Sequence, residues 1–192
     1  MYFERSDVTH FLIHWFAYLD VLGSLIAGPV DPQLSIGNPE SLTEKGRNGW
    51  MAEYDFDIED DYKIHCLFGF TGRCITLLAH IAELARACDI ERIDANNNIR
   101  LEWTPSMEVV ERARKLIVDL EAARKSTLVQ ACPHLHSASE AEYQWDIREM
   151  TATNEAFHWA GIVHIHRRIL GKRSTHPDVQ NAVREICGAL YK

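Results

Sequence analysis

The sequence predicts an all-α fold: a multi-helix bundle or array around one long central helix, with a long polar loop after the first helix. Three observations predict it. Apolar residues recur at helical spacing along most of the chain, and no stretch alternates with the two-residue period of a half-buried strand. The stretch Ser137–Leu170, SASEAEYQWDIREMTATNEAFHWAGIVHIHRRIL, has no proline and a single glycine, Gly161. That stretch also carries two apolar arcs. At about 100° per residue, Tyr143, Ile147, Met150, Asn154, Phe157, Gly161, Ile162, Ile165 and Ile169 share one broad face, and Trp145, Ala152, Trp159, Val163 and Leu170 form a second. A surface helix needs one stripe, so two stripes imply neighbours on both sides.

At 192 residues and 46% hydrophobic content, the chain can bury a core as one domain, 1–192, with a flexible loop at about 28–60. A net charge of -8 and a pI near 5.7 argue against direct nucleic-acid binding, which needs a basic footprint to neutralise phosphates. Cys66, Cys74, Cys88, Cys132 and Cys187 have no close pairs of the zinc-knuckle or redox kind. They are expected to be reduced, mostly buried thiols of an intracellular protein.

Taken in order, Phe11–Val30 has about the length of a membrane span. Asp20 near its centre costs on the order of 3 kcal/mol on insertion scales, and His14, Ser24 and Pro29 add to that. A core helix fits better: Phe11, Trp15, Phe16, Tyr18, Leu19, Leu22, Leu25 and Ile26 fill a wide arc opposite His10, Ala17, Asp20 and Ser24. Glu4, Arg5 and Asp7 ahead of it do not make a secretory leader. His10 and His14 have metal-ligand spacing, but no zinc-protease glutamate or third ligand accompanies them, and no metal site is expected. Asp20 is expected to pair with a nearby Arg or a backbone amide.

Prolines and glycines between Gly28 and Asp61 mark a long loop. Its end, EYDFDIEDDY over Glu53–Tyr62, has the acidic and hydrophobic mixture of docking or activation segments. A solvated loop whose acids favour the next helix N-terminus accounts for it more simply. Asp61–Phe68 is expected to form a short helix, broken at Gly69-Phe70-Thr71-Gly72 by a turn or a close helix approach. Arg73–Cys88 is then a second helix with Ile75, Leu78, Ile81, Ala82 and Ala85 inward. Arg73 can bind an anionic ligand or satisfy a buried acid such as Asp20, and structural pairing is the expectation.

Thr104 and Pro105 supply a cap and a first-turn proline for a helix with Met107, Val110, Ala113, Ile117 and Leu120 at helical spacing, ending near Leu128. Ser137 and Glu140 form a capping box for the central helix, and Gly171 stops it. His176-Pro177-Asp178 starts the last helix, with Val179, Val183, Ile186 and Leu190 on one face.

Histidines on the central helix invite a search for chemistry. His164 and His166 lie about 200° apart on the helical wheel, so they cannot converge on one metal. His158 falls on the main buried face as a hydrogen-bonded core residue. The sequence has no nucleophile elbow, carboxylate-pair motif or dinucleotide fingerprint, so no catalytic residue or cofactor is assigned.

Three blocks in order, WFAYLDVLGSL over Trp15–Leu25, GFTGRCITLLAHIAELA over Gly69–Ala85, and ATNEAFHWAGIVHIHRRILGKRSTHPDVQNAVREI over Ala152–Ile186, resemble the fungal-specific transcription factor domain that follows a binuclear zinc cluster in many fungal regulators. The resemblance implies an all-helical, non-enzymatic regulatory domain, a nuclear location and a role in controlling attached DNA-binding and activation regions. Two departures accompany it. The six-cysteine cluster is missing, so the chain itself is not expected to recognise DNA, and family members continue well past the position of Lys192. An excised piece of a longer regulator is the expectation, with apolar surface open to dimerisation or a protein partner.

Such a domain acts by shifting between conformations that an effector or partner binds unequally. A small-molecule effector is expected between the central and first helices, near Trp15, Asp20, Arg73, His158 and Trp159. The alternatives are a helical metal-dependent enzyme using His10 and His14, and a constitutive oligomerisation scaffold. Gly161→Leu is expected to unfold the domain by overpacking, and His166→Ala, on a polar strip, to be mild.

Overall fold

The computed structural model describes residues 5–26, 62–65, 68–94, 96, 98–128 and 140–191. The chain divides into two compact units, Met1–Phe56 and Asp57–Lys192. In the first, α1 runs Arg5–Ile26. Val21 and Leu25 are buried, whereas Leu12, Trp15, Phe16, Leu19 and Ile26 are exposed, so the wide apolar arc expected of a core helix is not covered as a whole. The Trp15 and Tyr18 rings lie 6.1 Å apart on one side of the helix. Among the described residues no helix is long and apolar enough to cross a membrane. The expected loop, its acidic end at 53–61 and the side chains of His10 and His14 lie outside the described residues.

The second unit begins by correcting the short helix expected at Asp61–Phe68. Its described part is a hairpin, β1 (Ile64–His65) and β2 (Phe70–Thr71), with Ile64 opposite Thr71 and His65 opposite Phe70. An eight-residue helix has too few bonds to repay its own nucleation. Here Gly69 at φ +74° turns the chain instead, and Leu128 pairs from the other side, giving its N–H to Tyr62 at 2.9 Å and accepting from Ile64 at 3.3 Å.

α2 (Gly72–Arg92) starts where the Thr71 hydroxyl accepts the Cys74 N–H at 3.1 Å. The inward set Ile75, Leu78, Ile81, Ala82 and Ala85 is buried as expected; Cys74, Leu77, Leu84, Cys88 and Asp89 are buried too, so about half the girth of α2 is covered. α3 (Met107–Lys125) is capped by Ser106, whose side chain accepts from the Val109 N–H, and not by Thr104. Pro105 therefore precedes the cap, Met107 is exposed, and Ala113, Leu120 and Ala123 face the core. The helix stops at Lys125 because Leu128 is committed to the hairpin.

The central helix, α4 (Glu140–His164), packs against α2, α3, the hairpin and the last helix; its first arc is buried at Asn154, Gly161 and Ile162, whereas Ala152, Trp159 and Val163 of the second are only half-buried. Gly161 is where three helices meet: a Cβ there would lie 3.1 Å from Leu78, 3.2 Å from Ile81 and 3.2 Å from Leu120. The α-helix does not continue to Leu170. Ile165–Ile169 form a π-turn, closed by the Leu170 N–H on the Ile165 carbonyl at 2.9 Å. Gly171, at φ +64°, then ends the helix as expected. Ser137 lies outside the described residues.

α5 (Pro177–Leu190) begins as read from the sequence, with the His176 ring accepting the Asp178 N–H at 3.2 Å and Pro177 in the first turn. Its buried residues are Val179, Ala182 and Ala189, while Val183 and Leu190 are exposed. The expected face is thus rotated toward the alanines, whose small side chains allow a close approach to α4.

Candidate functional site

Polar residues inside the second unit gather along α4 in two places. At the first, Asn154 is 1% exposed; its Oδ1 accepts the Thr71 N–H at 3.2 Å and its Nδ2 donates to Thr127 Oγ1 at 3.1 Å. Thr127 in turn donates to the Ala123 carbonyl at 3.2 Å. One side-chain amide thereby joins the hairpin, α3 and α4, with both of its ends satisfied.

His158 lies one turn further on and is equally buried, with Nδ1 2.7 Å from the Asn154 carbonyl. A carbonyl only accepts, so Nδ1 carries the proton and Nε2 is bare, with no partner among the described residues. Burial, helped by the Arg124 charge, holds the imidazole below its ordinary range against the opposing pull of the Asn154 carbonyl and Glu155. Next to it, the Arg124 guanidinium lies 5.2 Å above the Trp159 ring and 3.3 Å from Glu155 Oε1.

At the second place, Asp89 of α2 is 3% exposed and lies between two guanidinium groups. Arg92 Nη2 donates to Oδ1 at 2.6 Å, and Arg168 of the π-turn donates to Oδ2 through Nη2 at 2.6 Å and Nε at 3.0 Å. Arg92 Nη1 also reaches the Arg167 carbonyl at 3.5 Å. This junction was missed from the sequence. The available signal was position: Asp89 continues the four-residue line Ile81–Ala85 on the buried side of α2, with Arg92 one turn later.

His166 is a correction. A polar strip was expected, but its ring is 8% exposed and its Nδ1 has no partner among the described residues. On a wheel of about 100° per residue His166 already lies about 40° from buried Ile162, and the π-turn, which advances each residue by less, draws it closer still. Burial and then Lys172 lower its pKa, and burial and then Arg168 lower that of half-buried His164.

The residues proposed for an effector site are placed as follows. His158 and Trp159 are neighbours on α4, joined to Asn154, Arg124 and Glu155. Arg73 is half-buried in the first turn of α2, two residues past the Thr71 amide that Asn154 holds. Trp15 and Asp20 are exposed residues of α1, in the other unit. Among the described residues, no group of three or more His, Cys, Asp or Glu side chains could hold a metal. Cys74 and Cys88 are buried free thiols and Cys187 is an exposed one. Burial, reinforced by Glu91 and Asp89, pushes Cys88 up to about 11, and burial raises Cys74 further. The ion pairs of Asp89 with Arg168 and of Arg124 with Glu155 join one helix to another.

No curated protein and no solved structure matches the chain. The family model described as the fungal specific transcription factor domain matches residues 1–192. With an all-helical bundle around α4 and its full length inside that match, the chain belongs to the fungal specific transcription factor domain family.

Proposed function

We propose that this chain is a regulatory domain that works in the nucleus through protein contacts, setting the activity of DNA-binding and activation regions to which it is attached. Its net charge of -8 suits a domain that leaves phosphate binding to another region. The observation that carries the protein-contact reading is the run of large apolar side chains exposed on α1: Leu12 at 43%, Phe16 at 63%, Leu19 at 48% and Ile26 at 84%. Water exposure of four such residues on one helix disfavours the isolated state and favours association.

The test is a fusion of the whole chain to a heterologous DNA-binding domain and activation domain, read by a reporter gene. Output is expected to differ from that of the same fusion without the chain, and Phe16→Glu with Leu19→Glu is expected to abolish the difference. Identical output from all three fusions would sink the regulatory reading. Sedimentation across a concentration series separates the contacts: a reversible dimer lost in the double variant assigns them to a second copy, and a persistent monomer assigns them to another protein.

A further inference from the structure

The π-turn and the start of α5 meet at a joint whose parts the regulatory reading does not use. The His166 carbonyl accepts the Lys172 N–H at 2.9 Å. The Lys172 side chain crosses to Asp178 Oδ2, and Asp178 in turn lies 3.6 Å from His176 Nδ1. The His166 imidazole is buried within the field of these charges, with Nδ1 unpartnered among the described residues. α5 packs directly on the π-turn here.

We infer that His166 makes this joint responsive to protons: binding of one proton to the buried ring opens the contact between the π-turn and the first turn of α5. Two physical conditions support it. A buried ring with an unpartnered nitrogen is stable only while neutral, because the charged form loses its hydration and gains no acceptor in exchange. The groups around it also disfavour a second cation. Lys172 from the connecting loop and His176 from the cap of α5 oppose the charge, and Asp178, which favours it, is already held by Lys172. α2 turns Asp89 and Arg92 toward Arg167 and Arg168.

On protonation, Asp178 can answer the new charge only by leaving Lys172, or the ring must swing to water. Either movement undoes the joint, and the π-turn provides room for the second, since relaxing to ordinary α-helical register rotates His166 outward. Acid therefore frees α5 at its N-terminal end, whereas neutral pH keeps it docked.

Hydrogen exchange of the intact chain, read on peptides of α5 and corrected for intrinsic exchange rates, tests this between about pH 7.5 and about pH 5.5, the interval in which histidines titrate. Protection of α5 is expected to fall on acidification by roughly tenfold per unit of pKa depression at His166, with a smaller fall in His166→Gln, and with His176→Gln starting lower for want of its cap but falling with acid as the parent chain does. Unchanged protection in the parent chain overturns the inference, as does an equal fall in His166→Gln; abolition by His176→Gln moves the sensor to the cap and also overturns it. Should His166→Gln not fold, the parent chain decides by NMR. The His166 ring and the α5 amides must titrate together, and separate midpoints overturn the inference.

Discussion

Arg168 grips Asp89 through two nitrogens on a single carboxylate oxygen, Nη2 at 2.6 Å and Nε at 3.0 Å, and so fastens the π-turn to α2. Removing one partner of a buried pair leaves the other charge without compensation. Arg168→Ala is expected to lower unfolding stability by about 3 kcal/mol in urea titration. Arg168→Lys keeps the charge but loses the paired donors, and recovers only part of that. A loss under about 0.5 kcal/mol in Arg168→Ala, the range of an ordinary surface substitution, would show that Arg92 alone satisfies the acid.

Asn154→Ala strips the Thr71 amide and Thr127 of their partner in the core. About 2 kcal/mol of destabilisation is expected, from the stranded N–H and the lost packing. Asn154→Asp retains an acceptor for Thr71 but buries a charge, and is expected to be worse at neutral pH than at acid pH. The same urea titrations check both.

Two glycines differ in why they resist substitution. Gly161→Ala brings a Cβ to within 3.1–3.2 Å of three side chains on two other helices, and Gly161→Leu overpacks the crossing beyond repair. Gly69→Ala adds backbone strain at φ +74° to a 2.9 Å clash with Thr153 Cγ2. Thermal melts of Gly69→Ala with and without Thr153→Ser separate the causes: Ser clears the methyl group, so relief measures that clash, and the remaining deficit measures the strain together with the 3.1 Å approach to the Thr153 Cβ.

His158, His164 and His166 all titrate below the ordinary imidazole value because burial disfavours their charged forms. Between the folded and unfolded values the unfolded chain binds more protons, so stability rises with pH there. It is full above about 6.5, the unfolded histidine value, and is lost as pH falls through the folded values. Denaturant midpoints at about pH 7.5 and about pH 5.5 check this, and an unchanged or higher midpoint in acid would contradict it.

Cys187 is expected to react with a thiol reagent well before Cys74 and Cys88. It is exposed, whereas their thiolates are suppressed by burial. Peptide mapping after brief labelling checks the order.

What could be foreseen from the sequence was local. The inward face of α2, the His176-Pro177 start, the Gly171 stop and the close packing at Gly161 each rest on residues within a turn or two of one another. The π-turn, the hairpin and the Asp89 junction do not. Arg168 lies 79 positions from Asp89, and nothing in either neighbourhood names the other. A two-residue strand has no period to detect, and nothing in the repeat of apolar residues marks the switch from α to π register. Of the residues expected near an effector, His158 and Trp159 are neighbours in sequence, while the contact of Trp159 with Arg124 depends on how α3 is laid down.

The bond from the Thr71 amide to Asn154 spans 83 positions. At synthesis rates of roughly 5–20 residues per second, Thr71 leaves the ribosome about 4–17 s before the side chain that satisfies it. A two-stranded hairpin this short does not persist by itself in water. The start of α2 therefore stays provisional until α4 has been made and has brought Asn154 to the Thr71 amide.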